Sequence, residues 1–69
     1  MKTLSLKQLI RLLKDCENKY GDMLVIHQTD PEGNGFGTIH PRSMYCSDTS
    51  KGKVLFIAPF EENIEEELF

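Results

Sequence analysis

The chain has 69 residues, with 8 Lys and Arg against 11 Asp and Glu, a net charge of -3 and 39% hydrophobic residues. This length allows one small domain, which buries only about 60% of its unfolded surface and is too thin for a deep catalytic cleft. No apolar run approaches the roughly 20 residues that span a bilayer, and Lys7, Arg11 and Lys14 interrupt any signal-peptide core. We therefore expect a cytoplasmic protein with no membrane segment.

The charged residues are distributed unevenly along the chain. The formal charges of residues 1–20 sum to +3. Residues 60–69 form an acidic tail that has no Lys or Arg and contains Glu61, Glu62, Glu65, Glu66 and Glu67. Such an end is typical of a solvated tail that keeps a small protein soluble, or of an acidic patch that meets a basic protein partner. The chain lacks the basic and aromatic stripe of nucleic-acid-binding proteins, so we expect no direct DNA or RNA binding.

The first predicted element is an amphipathic helix at about residues 6–19. Ser5, followed three residues later by Gln8, is a capping-box pattern. Gly21 follows the pattern at the point where a helix favours a left-handed residue. The apolar stripe at helical spacing consists of Leu6, Leu9, Ile10, Leu13, Cys16 and Tyr20. The position of Cys16 on this stripe predicts that it is buried as a small hydrophobic residue.

Three strands are predicted after the helix, at residues 23–28, 36–40 and 53–58. Turn-forming residues at 30–35 separate the first two strands, and Pro41 stops the second one because it cannot donate to a ladder. The stretch from 42 to 52 is interpreted as a polar connection, with a short strand at Met44 and Tyr45 as an option and the turn at 47–52.

This element order predicts an α+β fold with the N-terminal helix packed on a small, mainly antiparallel three-stranded sheet, and a short C-terminal helix as an option. We expect one domain over residues 1–59, followed by the acidic tail over residues 60–69. The first and last strands are apolar on both faces, although a sheet with one solvated face should alternate. One helix covers one face, so the second face must be covered by the tail, a second copy or a partner.

Residues 30–37 are the strongest candidate for a ligand or metal site. Asp30, Glu32 and Asn34 place oxygen atoms at alternate positions before a glycine, as in the first half of a calcium-binding loop. The second half does not fit, because Pro41 stands where a bidentate Glu is needed. A hairpin turn that uses Asn and Gly for positive φ explains the same residues. We therefore favour the turn and predict no cofactor.

No arrangement of nucleophile, base and orienting group is recognisable, so we do not expect an enzyme. His27 and His40 would face each other in a hairpin centred on Gly33 and Asn34, but a zinc site would lack its fourth ligand. Cys46 and the cysteine of the helix have no metal-binding spacing, and a disulfide is not expected in a reducing compartment.

The first half of the chain resembles a pattern in small, functionally uncharacterised accessory proteins encoded by tailed bacteriophages and prophages. In that pattern a helix of the form Thr-x-x-x-Leu-Ile-x-x-Leu precedes an apolar strand and then Asp-x-Glu-Gly-Asn. The matching segments here are Leu6–Leu13, Met23–Ile26 and Asp30–Asn34, while Lys19–Asp22 replaces the usual Pro-Asp turn. The resemblance implies an accessory protein that binds a host protein in the host cytoplasm, with no catalytic residues to carry over.

The sequence predicts a non-enzymatic protein-interaction module, in one form a phage-encoded modulator or inhibitor of a host protein. Apolar anchors on the second sheet face, Val25, Val54 and Phe56, would supply affinity, and the acidic tail would steer the encounter. Two alternatives stay open. One is a small ligand- or metal-binding protein that uses residues 30–37, and the other is a self-associating structural protein, such as a homodimer through the second sheet face.

Overall fold

The computed structural model describes residues 2–69 and has the helices and strands of an α+β fold. The elements in chain order are α1 (Leu6–Tyr20), β1 (Ile26–Gln28), β2 (Phe36–Thr38), a 3-10 turn (Pro41–Ser43), β3 (Met44–Thr49), β4 (Gly52–Ile57) and α2 (Glu65–Leu68). The predicted α+β class is confirmed. The predicted three-stranded sheet is wrong, because the four strands form two separate antiparallel pairs, β1 with β2 and β3 with β4.

Helix α1 begins and ends where its capping residues predict. The Ser5 side chain accepts a hydrogen bond from the Gln8 N–H at 3.2 Å, and the Gln8 side chain accepts one from the Ser5 N–H at 2.9 Å. At the other end Gly21 has a φ of 79°, and its N–H donates to the Glu17 carbonyl at 2.8 Å. The predicted helix and its capping box are confirmed, since these local contacts satisfy the terminal backbone groups.

The first hairpin is shorter than predicted and has a different register. Strand β1 begins only at Ile26, and the apolar residues 23–25 before it are exposed. His27 lies opposite Gly37, and Gln28 lies opposite Phe36. A hairpin centred on Gly33 and Asn34 would have paired His27 with His40, and this pairing does not form because the hairpin is centred on Glu32.

The second hairpin includes residues that the sequence assigned to a polar turn. Strand β3 continues through residues 47–49, and the turn is confined to Ser50 and Lys51. The Thr49 hydroxyl accepts from the Lys51 N–H at 3.0 Å and donates to the Gly52 carbonyl at 2.9 Å. Gly52 supplies the positive φ, 96°, that a tight hairpin turn favours.

The C-terminal segment lies along the edge of β2 that faces away from β1. The Phe60 N–H donates to the Thr38 carbonyl at 2.7 Å, and the Asn63 N–H donates to the Phe36 carbonyl at 3.0 Å. Gly37 lies opposite both His27 of β1 and Glu62, so β2 is flanked on both sides. This pairing leaves β2 without a free edge for a third strand.

The segment that follows covers the first hairpin with apolar side chains. Ile64 is the one buried apolar residue among those that the structure describes, with 6% of its surface exposed. The Phe69 ring lies edge-on beside Phe36, with 5.7 Å between the ring centroids, but 92% of Phe69 is exposed, so the cover comes from Ile64. The tail therefore provides intramolecular cover for the β1–β2 hairpin.

Gly37 is the position at which a small change should detach the C-terminal segment. A methyl group there would lie 2.7 Å from the Glu61 carbonyl oxygen and would also overlap Pro59. We expect Gly37→Ala to lower the free energy of unfolding by about 2 kcal/mol, because it disrupts several backbone hydrogen bonds. Amide hydrogen exchange at Phe60 and Asn63 should accelerate, which nuclear magnetic resonance measures directly.

The matched control is Gly52→Ala, where an added methyl has no atom within 4 Å and the cost comes from the positive φ alone. Exchange at Phe60 should not change in this control. Unchanged exchange at Phe60 in Gly37→Ala as well would contradict the close packing of β2 against the C-terminal segment.

Candidate functional site

The chain exposes more surface than a folded protein of its size. Its accessible surface is 6317 Å², whereas a compact monomer of 7.9 kDa exposes about 4,400 Å². The radius of gyration is 13.7 Å, compared with about 11 Å for a compact chain of this length. The excess of about 1,900 Å² exceeds the roughly 800 Å² that each partner contributes to a protein–protein interface of standard size.

Much of this excess comes from α1, none of whose residues is buried. Leu6, Ile10 and Leu13 of the apolar stripe are each more than half exposed. The predicted packing of the helix across a sheet is wrong, and so is the predicted burial of Cys16, whose thiol is free and exposed. A pair of strands about 5 Å apart is narrower than a helix of about 10 Å diameter, so neither hairpin offers the platform that three strands would.

A groove of about 670 Å³ separates the start of α1 from the second hairpin. Its apolar lining consists of Leu4, Leu6 and Leu9 on the helix side and Val54, Leu55 and Ile57 on the strand side. Cys46 and Lys53 also line it, and the Lys53 ammonium lies 3.7 Å from the exposed Asp48 carboxylate. The groove is thus an apolar surface lined also by an ion-paired lysine, and it is continuous with the stripe on α1 through Leu6 and Leu9.

One face of the second hairpin, called its outer face below, carries an aromatic pair. Tyr45 lies opposite Phe56 in the β3–β4 register, and the two rings stack with 5.1 Å between centroids and 16° between planes. Val54 shares this face, since it is two residues from Phe56 on one strand. Both aromatic rings are exposed. Val25, the third predicted anchor, is exposed and lies just before β1 of the first hairpin. It is therefore not part of the face that Val54 and Phe56 share.

Tyr45 is the member of this exposed face that the sequence reasoning missed. The signal was present, because a tight turn at Ser50 and Lys51 places Thr49 opposite Gly52 and, four pairs along, Tyr45 opposite Phe56. Assignment of residues 47–52 to a long turn hid this pairing.

The acidic tail contains one glutamate that serves the fold and four that remain exposed. The Glu65 carboxylate accepts a hydrogen bond from the Phe36 N–H at 3.2 Å, which fixes α2 to the first hairpin. The exposed glutamates are Glu61, Glu62, Glu66 and Glu67. Neither of the ion pairs found within residues 2–69 involves them. They therefore present unpaired negative charge to solvent.

Asp30, Glu32 and Asn34 lie together in the loop of the first hairpin. One Asp30 carboxylate oxygen accepts from the Glu32 N–H at 2.9 Å and from the Asn34 N–H at 3.0 Å. The Asn34 amide in turn donates to the Glu32 carboxylate at 3.4 Å. Within the described part of the chain, no three His, Cys, Asp or Glu side chains gather as a metal site would require. The loop has the hydrogen bonds of a self-capped turn, and metal binding by it stays a prediction.

The two histidines have separate surroundings. His40 stacks on Phe60 with 4.4 Å between ring centroids, and its Nδ1 accepts from the Arg42 N–H at 3.0 Å. The His27 Nδ1 is buried without a hydrogen-bond partner among the described residues. The Ser43 hydroxyl donates to the His40 carbonyl at 2.8 Å. These contacts give His40 and Ser43 a structural part in the turn between the hairpins.

No protein-family model matches the chain, and no curated protein or solved structure matches it either. Neither helix that the structure describes is long and apolar enough to cross a bilayer.

The role of Asp30 can be tested with two substitutions. Asp30→Asn keeps the side-chain oxygen that caps the turn, so the free energy of unfolding should stay close to that of the unmodified chain. Asp30→Ala removes the acceptor of two backbone N–H groups and should lower that free energy by about 1 kcal/mol. Urea unfolding followed by circular dichroism measures both values.

Calorimetric titration with calcium separates the turn from the metal hypothesis. If the loop is only a turn, calcium should give no heat of binding with the unmodified chain, with Asp30→Asn or with Asp30→Ala. Calcium binding by the unmodified chain that disappears in Asp30→Asn would contradict the turn assignment, because this substitution removes the negative charge and leaves the acceptor in place.

Proposed function

We propose that this chain is a non-enzymatic protein-interaction module that binds a partner protein through the outer face of its second hairpin. The observation that carries the proposal is the exposed, stacked pair of Tyr45 and Phe56, with Val54 on the same face. Aromatic residues are enriched at protein interfaces, and tyrosine is among the residues that most often supply the binding energy there. The aromatic pair is already stacked in the free chain, so little side-chain entropy is lost on binding.

The acidic tail supplies the second part of the proposed surface. Four exposed glutamates without ion-pair partners create a negative field that accelerates encounter with a basic surface. Their effect falls on the association rate, whereas the apolar anchors determine how long the complex lasts. The partner should therefore carry a basic patch beside an apolar one.

We extend the proposal to the biological setting that the sequence resemblance implies. The likeness of residues 6–13, 23–26 and 30–34 to phage and prophage accessory proteins supports a phage-encoded modulator or inhibitor of a host protein. Such a protein acts in the host cytoplasm and occupies a surface of its target. No enzymatic step, cofactor or nucleic acid is part of this proposal.

The proposal is tested by capture and then by kinetics. The immobilised chain should retain one bacterial protein in stoichiometric amount from a lysate, and that protein is then purified for surface plasmon resonance. Phe56→Ala should weaken binding at least tenfold through a faster dissociation rate, since truncation of a central aromatic anchor removes buried contact area. Replacement of Glu61, Glu62, Glu66 and Glu67 by Gln should instead slow association and reduce its dependence on salt.

The matched control is Leu24→Ala, which truncates an apolar side chain that is 84% exposed and lies outside both hairpins. Its binding constants should equal those of the unmodified chain. Failure to retain any stoichiometric protein, or equal dissociation rates for Phe56→Ala and the control, would contradict the proposed surface.

A further inference from the structure

The register of the second hairpin determines which backbone groups of β4 point away from β3. In an antiparallel pair, facing residues alternately exchange their backbone hydrogen bonds or direct both backbone groups outward. The Ala58 N–H donates to the Ser43 carbonyl at 3.0 Å, and these two residues continue the β3–β4 register as a bonded pair. Alternation from this pair directs outward the N–H and carbonyl groups of Lys53, Leu55 and Ile57.

The first hairpin shows how such outward groups are satisfied in this chain. Phe36 and Thr38 direct their backbone groups to the side of β2 that faces away from β1. The Phe60 N–H donates to the Thr38 carbonyl, and the Asn63 N–H donates to the Phe36 carbonyl. A neighbouring stretch of backbone therefore closes this edge of the first hairpin.

The corresponding edge of β4 has no such neighbour. The sheet of the second hairpin has two strands, and no hydrogen bond described for residues 2–69 uses the outward N–H groups of β4. A groove of about 670 Å³ separates the start of α1 from this strand. Leu55 and Ile57 are 37% and 40% exposed. The outward groups of β4 are therefore accessible to a further strand.

β4 also lacks the features with which proteins protect an open sheet edge. Proline, bulges and charged side chains usually prevent an edge strand from pairing. Residues 54–57 are Val, Leu, Phe and Ile, which favour strands and carry no charge, and the register from Gly52 to Ile57 has no bulge. The edge of β3 differs, because Ser47, Asp48 and Thr49 make half of that strand polar. β4 is therefore the edge better suited to pairing.

We propose that β4 pairs with β4 of a second copy of this chain, antiparallel and centred on Leu55, so that the two hairpins form one four-stranded sheet. The residues with outward backbone groups, Lys53, Leu55 and Ile57, are placed symmetrically about Leu55. They meet the same three residues of the second copy, and a twofold contact closes both open edges at once. The inference goes beyond the proposed function, since it concerns the edge of β4 and not the partner that its outer face binds.

The side chains on the outer face favour a second copy as the occupant. In this register Val54 of each copy lies beside Phe56 of the other, and the pair occurs twice. Aromatic and β-branched side chains on facing strands stabilise a sheet. These are non-hydrogen-bonded pairs, in which facing side chains lie closest together. The sequence of β4 is thus complementary to itself when the strand direction is reversed.

The opposite face of β4 is also compatible with this pairing. Leu55 faces Leu55 of the second copy, and Lys53 faces Ile57 of the second copy. Lys53 keeps Asp48 of its own hairpin as its ion-pair partner, at 3.7 Å. Like charges directly opposite each other would destabilise the pairing, and this register contains none.

The first test is the mass in solution, measured by size-exclusion chromatography with light scattering at two concentrations a hundredfold apart. The unmodified chain should have twice its 7.9 kDa mass at the higher concentration. Leu55→Pro removes an outward N–H that the hairpin itself does not use, and it should give the monomer mass. The matched control is Cys46→Pro, which makes the same change at the facing residue on the β3 edge and should leave the dimer intact.

The second test reads the register by disulfide crosslinking and needs no proline. In a background with Cys16→Ser and Cys46→Ser, Leu55→Cys should give a covalent dimer on mild oxidation. The two Leu55 positions face each other, and their Cα atoms would lie about 5.5 Å apart, a separation that a disulfide spans. Lys53→Cys in the same background is the control, because its two copies lie four residues out of register and should remain uncrosslinked.

The other outcomes each overturn a stated part of the proposal. A monomer mass for the unmodified chain at both concentrations excludes a second copy as the occupant, and lysate capture with the Phe56→Ala kinetics still tests the proposed function separately. Efficient crosslinking of Cys16→Ser alone, through the natural Cys46, would place the contact on the β3 edge. Equal crosslinking of Leu55→Cys and Lys53→Cys would overturn the register centred on Leu55.

Discussion

The hydrogen bonds between residues 60–63 and β2 determine how the apolar surface of this chain is distributed. They occupy the edge of β2 that a larger sheet would use, and Gly37 permits the close approach because it has no side chain. The C-terminal segment then buries Ile64 over the first hairpin. The second hairpin and α1 are left without that cover, so their apolar residues face solvent.

The surfaces that this pairing leaves exposed differ in chemistry. The outer face of the second hairpin has a small stacked aromatic pair, which suits a partner with an apolar pocket. The stripe on α1 is longer and has no charged member, and its spacing suits contact with another helix.

The sequence was sufficient for the parts of the fold that local chemistry determines. Ser5 and Gln8 close a capping box between near neighbours, and Gly21 ends the helix by its own backbone freedom, so α1 was predictable almost to the residue. The α+β class followed from the order of the predicted helix and strands. For the candidate surface, Val54 and Phe56 were correctly placed on one face of a strand, since alternation along a strand is also local.

The errors arose where distant residues compete for the same partner. Pairing of Gly37 with Glu62 joins residues 25 positions apart, and no short pattern in the sequence indicates it. The hairpin register was wrong for a separate, local reason. Asp30 accepts hydrogen bonds from the Glu32 and Asn34 N–H groups, and the turn is centred on Glu32 rather than on Gly33 and Asn34. The predicted helix-on-sheet packing and the burial of Cys16 both depended on the larger sheet and failed with it.

The central claim is that the pairing of residues 60–63 with β2 covers the first hairpin and leaves α1 without cover from the rest of the chain. Amide hydrogen exchange at high dilution tests it most directly. The account predicts strong protection of the Phe60 and Asn63 amides bonded to β2 and weak protection of the α1 amides. Strong protection of α1 at high dilution would contradict the account, because it would mean that the chain covers this helix by itself.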